Sequence, residues 1–331
     1  GSLSTSENAG IEALFNLVER LRCYPAAVAS WESDIFPSRL KNYQRHHLDT
    51  LMREGNLAWI GQGNKQVQWC FEEDFDLIAP DFEAVDLATL IPGATGRYEF
   101  SAIADYAALS SADTAAALWQ SAWRGQVSTD SFNVLRQGIA NKFSLPDIQP
   151  VTSRQRRGIR RGGFNQWKSS VPSAGAWYQV AYPDSTSSLI ENEELNKERV
   201  RLLIDRYGIL FRELLMRELP TMNWRTLFRS IRLMELAGEI TQGYFFKEIP
   251  GPQFVSPAAL RELHQWNRVD TRQTKTGNRQ KDTFWINAAD PISLSGIGID
   301  ALKGIYPRRI ASNHIVYNDS KVVLVSEKNG R

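Results

Sequence analysis

Residues 48–57 read LDTLMREGNL, and this stretch decides the fold because its pattern is written three times. It returns at residues 118–127 as LWQSAWRGQV and at residues 231–240 as IRLMELAGEI. Each copy has an apolar residue seven positions before its glycine, another three or four before it, and an apolar β-former two after it. Such repetition predicts tandem copies of one helix-to-strand unit. The alternative is that any helix ending at glycine before a strand has this pattern.

The surroundings of the first copy predict a complete winged helix. Apolar spacing and β-forming runs predict three helices and then two strands, at 11–21, 26–33, 37–51, 56–60 and 66–71. We expect Gly55 to end the third helix in the left-handed conformation that residues without Cβ favour there. The glycine-rich residues 61–65 join the two strands as a hairpin.

The third copy lies in a second unit of the same kind. The predicted elements are helices at 195–206, 209–219 and around 224–234, strands at 239–246 and 253–255, and a helix that begins at Pro257. The middle copy is less complete. Residues 129–137 look helical after Val127, and no hairpin is obvious there.

The tail is predicted to be rich in β-structure. Strands are predicted at 283–287, 310–317 and 321–326, beyond a polar stretch at 270–281. The fold class is therefore α+β, with tandem winged-helix domains followed by a β-rich, barrel-like C-terminal module. The predicted divisions are winged-helix domain 1 at 3–80, winged-helix-like domain 2 at 81–150, a basic connector at 151–190, winged-helix domain 3 at 191–268, and the barrel-like module at 280–331, which we expect to be truncated.

Composition indicates a folded protein with more than one core. Hydrophobic residues make up 42% of the 331 residues and charged residues 23%, while the net charge is only +2. Two cysteines and four histidines without metal-ligand spacing predict no metal site and a reducing, cytoplasmic setting. No apolar run is long enough to predict a membrane span. We expect Gly1-Ser2 to be a cloning remnant on a piece of a longer protein.

A cluster of cations lies at residues 153–168, which read SRQRRGIRRGGFNQWK. The cluster gives a strong local positive field, because no acidic residue lies between Asp147 and Asp184. Guanidinium groups bind phosphate oxygens, and aromatic rings stack on unpaired bases. The predicted nucleic-acid contacts are Arg154, Arg156, Arg157, Arg160, Arg161, Phe164, Trp167 and Lys168. The alternative is a solvated loop that pairs with the acidic residues 191–194.

The third helix of the last unit offers a second basic surface. Arg225, Arg229 and Arg232 are its candidates for contact with nucleic acid, because the third helix of a winged helix often enters the major groove. Arg229 and Arg232 are three residues apart and share a helix face. A protein-interaction array is the alternative, since many winged helices contact only protein.

Motifs for catalysis are few. The sequence has no GxxxxGK[ST] motif, so the chain holds no nucleoside triphosphate in a P-loop and we expect no cofactor in it. Asp290, which lies at a strand end in residues 287–291 (NAADP), is the sharpest catalytic candidate. The alternative is an aspartate that accepts backbone hydrogen bonds in the turn.

Seven stretches follow one another in an order that a known family shares. They are Tyr24-Pro25-Ala26 with Trp31-Glu32, and residues 48–61, 118–136, 175–177, 202–213, 235–255 and 288–291. Together they resemble the C-terminal region of the Lhr-type, or large helicase-related, proteins of helicase superfamily 2. The resemblance covers most of residues 11–331.

The resemblance implies a 3′ to 5′ DNA translocase whose ATPase core, with ATP and Mg²⁺, lies outside this chain and is its partner. It also implies tandem winged helices and a β-barrel, an array similar to DNA glycosylases of the AlkZ and AlkX type. Those enzymes carry Gln-apolar-Gln or Gln-apolar-Asp in a wing. Gln253 matches the first position of that motif and is the second catalytic candidate, as the resemblance implies, whereas Val255 does not match the third. The implied function is binding of DNA, single-stranded or with single-stranded tails, in DNA repair. Excision of uracil or a damaged base and homo-oligomerisation are the alternatives.

Overall fold

The computed structural model describes residues 5–63, 65–78, 87–144, 175–183, 188–273, 283–328 and 330. Within these ranges the chain forms three helix-and-ribbon units and then a sheet. We call them the first unit (5–78), the middle unit (87–183), the third unit (188–273) and the C-terminal module (283–328). No helix in these ranges has the length and apolarity needed to cross a bilayer.

The first unit is a winged helix, as predicted. Its elements are α1 (Thr5–Leu21), β1 (Ala26–Ala27), α2 (Val28–Ser30) continued by a π-helical turn (Trp31–Ile35), α3 (Arg45–Glu54), β2 (Leu57–Gly61), β3 (Gln66–Phe71), a 3₁₀ turn (Glu72–Asp74) and α4 (Phe75–Ile78). The sheet order is β1-β3-β2, and β2, β3 and their loop form the wing. The third helix begins at Arg45, eight residues after the predicted start at Pro37.

The prediction of a left-handed Gly55 is wrong. Its φ is −110°, and the left-handed residue is the next one, Asn56, with φ +52°. Glycine is needed at position 55 for space, because a Cβ there would lie 2.8 Å from the carbonyl oxygen of Leu51. In the third copy of the pattern, Gly238 does have a positive φ, +78°.

The middle unit has the same sheet order, but its wing is interrupted. Its elements are β4 (Arg97–Glu99), α5 (Phe100–Ala107), α6 (Ser111–Trp123), β5 (Val127–Thr129), α7 (Asn133–Ala140) and β6 (Ala176–Gln179). Strand β6 pairs with both β4 and β5. Residues 176–179 were predicted to lie in the connector 151–190, so the structure corrects that assignment. The basic residues 153–168 fall, in sequence, between the two wing strands β5 and β6.

The third unit repeats the first. Its elements are α8 (Leu189–Tyr207), β7 (Ile209–Leu210), α9 (Arg212–Leu215), a 3₁₀ turn (Pro220–Met222), α10 (Trp224–Leu236), β8 (Thr241–Gly243), β9 (Gln253–Val255) and α11 (Pro257–Gln273). The sheet order is β7-β9-β8. The prediction of one helix over 209–219 is wrong at its start. Ile209 and Leu210 form a strand there because they pair with Val255 and Phe254 of the wing.

The C-terminal module is an open antiparallel sheet. Its strands are β10 (Thr283–Asn287), β11 (His314–Asn318) and β12 (Lys321–Ser326), in that order, and a 3₁₀ turn (Asp300–Leu302) lies between β10 and β11. A small core of Ile286, Ala288, Ile315 and Tyr317 lies on this sheet. The predicted strands are present, but the described residues of the module form no closed barrel.

The wing of the first unit is buried between two cores. Successive side chains of a strand point to opposite faces. Leu57 and Trp59 of β2 therefore join the core shared with the middle unit, whereas Ala58 and Ile60 join the core of the third unit. The Trp59 indole also donates a hydrogen bond of 3.0 Å to the Thr129 hydroxyl of β5. This wing is thus an internal part of the molecule.

Candidate nucleic-acid interface

Three arginines form a row on the outer side of α10. The inner side of this helix packs Leu227 and Ile231, both fully buried, into the core of the third unit. Arg225, Arg229 and Arg232 are all exposed, and their spacing of four and three residues places them on one helix face. We call these three residues the arginine face.

The carboxylates near the arginine face form only weak, exposed ion pairs with it. The Arg229 Nε lies 3.4 Å from Glu193 Oε2, and this arginine side chain is 84% exposed. Arg232 pairs with Glu235 and donates to Gln242 Oε1 at 2.7 Å. For Arg225 the described residues show no partner. Exposed ion pairs contribute about 0–1 kcal/mol, so phosphate oxygens can replace these carboxylates.

The wing beside the arginine face presents an aromatic ring. Tyr244 follows β8 and is 80% exposed. Tyr244 was not among the contacts predicted from the sequence. Its signal was its place in the strand predicted at 239–246, two residues after the polar Gln242, because two positions along a strand return to the same face.

Gln253 braces this wing from inside. Its side chain is fully buried, and its Oε1 accepts hydrogen bonds from the Phe245 and Phe246 amides at 3.0 and 2.8 Å. Its Nε2 donates to the carbonyls of Phe246 and Ile249 at 2.8 and 3.2 Å. Both polar atoms of the amide are engaged, so the geometry favours a structural role for the residue predicted as catalytic.

The third helix of the first unit is tied to the middle unit at Asp49. Arg136 on α7 of the middle unit donates to Asp49 on α3 at 2.8 and 2.9 Å and to Glu32 at 2.9 and 2.8 Å. Burial lowers the pKa of Arg136, but its hydrogen bonds to Glu32 and Asp49 outweigh burial and raise that pKa. The guanidinium therefore stays charged and ties the two units together.

Helix α6 of the middle unit, which corresponds to α3 and α10 in the repeated pattern, is flanked by aromatic rings. Trp119 and Trp123 of α6 stack on each other with ring centroids 5.4 Å apart, and Phe143 meets both edge-on at 4.9 Å. Helix α6 has no lysine or arginine. Of α3, α6 and α10, only α10 presents three exposed cations in a row, because Asp49 lies between the exposed Arg45 and Arg53 of α3.

Asp290 lies at a seam between the C-terminal module and the first unit. It is 1% exposed, and its two carboxylate oxygens accept hydrogen bonds of 2.6 and 2.7 Å from the Arg39 guanidinium. Its Oδ1 also accepts from the Ile292 amide at 3.0 Å. The predicted alternative, an aspartate that accepts a backbone hydrogen bond in its own turn, matches this geometry. The ion pair with Arg39 could not be read from the sequence.

The basic segment predicted to bind phosphate lies outside the described residues. Its members Arg154, Arg156, Arg157, Arg160, Arg161, Phe164, Trp167 and Lys168 therefore stay predictions from the sequence. The acidic residues 191–194, its predicted alternative partner, already have other contacts. Glu191 caps α8 at Ser188, Glu193 meets Arg229, and Glu194 pairs with Lys197 and Arg201.

Metal chemistry gains no support from the part of the chain that the structure describes. It contains no group of three or more His, Cys, Asp or Glu side chains that could hold a metal ion.

Comparisons with known proteins point to one family. Residues 2–71 and 190–275 match models described as large helicase-related protein, winged-helix domain, for the third and fourth such domains. A Mycolicibacterium smegmatis protein named Lhr helicase/probable uracil glycosylase is 26% identical over 100% of this chain and 22% of its own length. An Escherichia coli protein named Lhr helicase/uracil glycosylase is 24% identical over 97% of this chain and 22% of its own length.

The two family matches coincide with the first and third units, whose sheets have the same strand order. The chain spans about a fifth of the length of these curated relatives. The first and third units therefore match winged-helix domains of the large helicase-related family, which confirms the resemblance found in the sequence.

Proposed function

We propose that this chain is a DNA-binding part of an Lhr-type helicase and that the arginine face of α10 contacts the phosphate backbone. The observation that carries the proposal is the exposed row of Arg225, Arg229 and Arg232 on the third helix of a winged helix. Guanidinium groups bind phosphates bidentately, and release of counterions from DNA drives such binding. Tyr244 on the adjoining wing offers a ring for an unpaired base, which supports DNA with single-stranded tails as the partner.

The names of the relatives support the helicase context. Both are named as helicases, and this chain covers 22% of each. The ATPase core, with ATP and Mg²⁺, and a role in DNA repair are accordingly parts of the proposal that lie outside this chain. The basic residues 153–168, which lie in the sequence between β5 and β6, support the same partner through their charge.

The test is fluorescence anisotropy of a labelled duplex with a single-stranded tail, titrated with the chain at two salt concentrations. Changing Arg225, Arg229 and Arg232 to Gln is expected to weaken binding by roughly tenfold or more. The slope of log affinity against log salt is expected to become shallower by about 0.9 for each phosphate that these arginines no longer neutralise.

A matched control removes the same charge elsewhere. Arg45 and Arg53 are exposed on α3, with Asp49 between them, and Arg124 follows α6. Changing all three arginines to Gln is expected to leave affinity near that of the wild type, because the carboxylate of Asp49 interrupts the cations of α3. Equal losses in the two triple variants would count against α10 as the contact. Changing Arg156, Arg157, Arg160 and Arg161 to Ala measures the separate share of the basic segment.

Base excision is a second candidate, supported by the names of both relatives. Asp290 is the residue proposed for it from the sequence. Its pairing with Arg39 means that it reaches a substrate only if the C-terminal module and the first unit separate. Homo-oligomerisation is the remaining alternative, and light scattering over a concentration series tests it.

Alkali-induced strand scission of uracil-containing single-stranded DNA tests base excision. Activity that is lost in Asp290→Asn but retained in Arg39→Met would assign the carboxylate a chemical role. Equal loss in both variants would show that the seam, and not the carboxylate itself, is required. No product after long incubation with excess wild-type chain would remove this candidate.

A further inference from the structure

The only two cysteines of the chain meet inside the molecule. Cys23 follows α1 and Cys70 lies on β3, 47 residues later, and their Sγ atoms are 3.8 Å apart. Both side chains are fully buried, and both are free thiols. An S–S bond is about 2.05 Å long, so the two sulfurs have to approach by only roughly 1.8 Å to form one.

The backbone around Cys23 holds the two sulfurs near each other. The Cys23 amide donates a hydrogen bond of 2.7 Å to the carbonyl of Trp69, the residue before Cys70. Cys23 also has a φ of +61°, a left-handed conformation that residues with a Cβ rarely adopt. Such strain persists only where the surrounding structure over-determines it, and it is concentrated at functional sites. The approach of the two sulfurs is therefore set by the backbone of both segments.

The cysteine pair lies where three parts of the molecule join. Both cysteines belong to the first unit in sequence, and both pack into the core of the third unit. On one side of Cys23, the Arg22 carbonyl accepts a hydrogen bond from Arg206 of the third unit. On the other side, the Tyr24 hydroxyl accepts one from Arg309 of the C-terminal module. A covalent change at Cys23 therefore acts on a segment that both neighbours hold.

The surroundings of the pair favour a bond between the two sulfurs over a bond to an outside thiol. Burial, together with the hydrogen bond to Cys23, raises the pKa of the Cys70 thiol well above its ordinary range, so this thiol stays protonated at neutral pH. Thiols of this kind react slowly with reagents from solvent. Once one sulfur is oxidised, the other is already in contact with it, and groups held in contact react far faster than separate ones.

We propose that Cys23 and Cys70 are a modification site, at which a peroxide oxidises the two thiols to an intramolecular disulfide within the native fold. One sulfur attacks a peroxide oxygen, the O–O bond breaks, and a sulfenic acid and one water form. The second sulfur attacks the sulfenic sulfur and releases a second water. Two thiols and one hydrogen peroxide thus give one disulfide and two waters, and a dithiol reductant reverses the modification.

The experiment treats the folded chain with hydrogen peroxide and then counts free thiols by maleimide labelling in denaturant and by intact mass. Cys23→Ala and Cys70→Ala are the matched single-thiol variants, since alanine keeps each buried position small and apolar. Met216 is an internal standard for the oxidant, because it is 73% exposed and peroxide converts methionine to its sulfoxide.

The wild type is expected to lose both free thiols and two hydrogen atoms per chain while it stays monomeric, and dithiothreitol is expected to restore both thiols. Each single-thiol variant is expected to form no disulfide within the chain. Closing the loop from residue 23 to residue 70 is expected to lower the unfolding equilibrium constant of the oxidised wild type by roughly a hundredfold in urea denaturation. The same treatment is expected to give no such gain in either variant.

Met216 sulfoxide in a wild-type chain that keeps both thiols would overturn the site, because it would show that the pair is closed to peroxide. Oxygen gained at the wild-type cysteines, or a disulfide between two chains, would show that the two sulfurs do not meet. An oxidised wild type that unfolds more readily than the reduced one would show that the native fold does not accommodate the bond. The proposed DNA binding is tested separately, since neither cysteine belongs to the arginine face.

Discussion

The third helix of the first unit is tied to the middle unit through Asp49, whereas the corresponding position of the third unit faces solvent. In the register of the repeated pattern, Asp49 of α3 corresponds to Arg232 of α10. Asp49 is bound by Arg136 of the middle unit at 2.8 Å, while Arg232 lies on the exposed side of its helix. The same position of the same fold thus carries an acid where it meets a neighbouring unit and a base where it meets solvent.

The wings differ in the same way. Counting on from the aligned helices, Gly61 of the first unit corresponds to Tyr244 of the third. A Cβ on Gly61 would lie 1.9 Å from the carbonyl oxygen of Ala122 in the middle unit, whereas Tyr244 is 80% exposed. Two separate positions therefore show that one copy of the unit serves assembly. In the other copy, Arg232 and Tyr244 lie on exposed surface, where they are accessible to a ligand.

The largest effect is expected from adding one carbon at the covered wing. Gly61→Ala places a methyl group against the backbone of Ala122, which can yield only if two units move apart. We expect a loss of about 3 kcal/mol of unfolding free energy, measured by urea denaturation. Gly63→Ala is the control, since no atom lies within 4 Å of the position that its new Cβ would take. The φ of +62° at Gly63 predicts a loss of only about 1 kcal/mol of unfolding free energy. Equal losses of unfolding free energy in Gly61→Ala and Gly63→Ala would contradict the packing of the Gly61 wing position against the middle unit.

A smaller effect is expected from removing the arginine that covers α3. Arg136→Ala leaves Glu32, which is 11% exposed, without its main partner. We expect a loss of about 2 kcal/mol of unfolding free energy, less than for a fully buried pair because Asp49 is 40% exposed. Amide hydrogen exchange in α3 is expected to speed up. Arg124→Ala, an exposed arginine of the same unit, is expected to change stability by less than about 0.5 kcal/mol. Amide exchange in α3 that is equally slow in Arg136→Ala and Arg124→Ala would show that Arg136 does not hold α3 against the middle unit.

The smallest effect is a pH dependence confined to the first unit. Burial lowers the pKa of His47 on α3 and repulsion by His46 adds to it, while Glu7 acts in the opposite direction. The unfolded chain then binds this proton more readily than the folded chain. Stability is therefore full above the unfolded pKa of 6.5 and is lost as pH falls through the lowered folded pKa.

His47→Gln is accordingly expected to flatten the dependence of unfolding free energy on pH between neutral pH and pH 5. The corresponding residue of the third unit is Ser230, which does not titrate in this range. His264→Gln, at an exposed histidine of the third unit, serves as the control and is expected to keep the wild-type slope. A His47→Gln slope as steep as that of the wild type would place the acid sensitivity elsewhere.

Local signals were sufficient for much of the fold. The period of the apolar residues predicted α1, α10 and the wing strands β2 and β3, because that period records which side of each element is buried. Long-range pairing was not predictable in this way. Strand β6 pairs with β4, far earlier in the chain, and Ile209 is drawn into a strand by Val255. Their own neighbours in sequence contain no sign of these partners.

The sequence by itself determined that a helix-to-strand unit recurs and that the third copy carries Arg225, Arg229 and Arg232 on its helix. Only the tertiary structure decided that α10, and neither α3 nor α6, presents an exposed row of cations. It also decided that the amide of Gln253 holds a wing loop in place and that Asp290 is paired with Arg39. The physical reason is that exposure and hydrogen-bond saturation depend on residues far apart in the chain. Residue type and spacing along the chain report only on contacts between residues that are close in sequence.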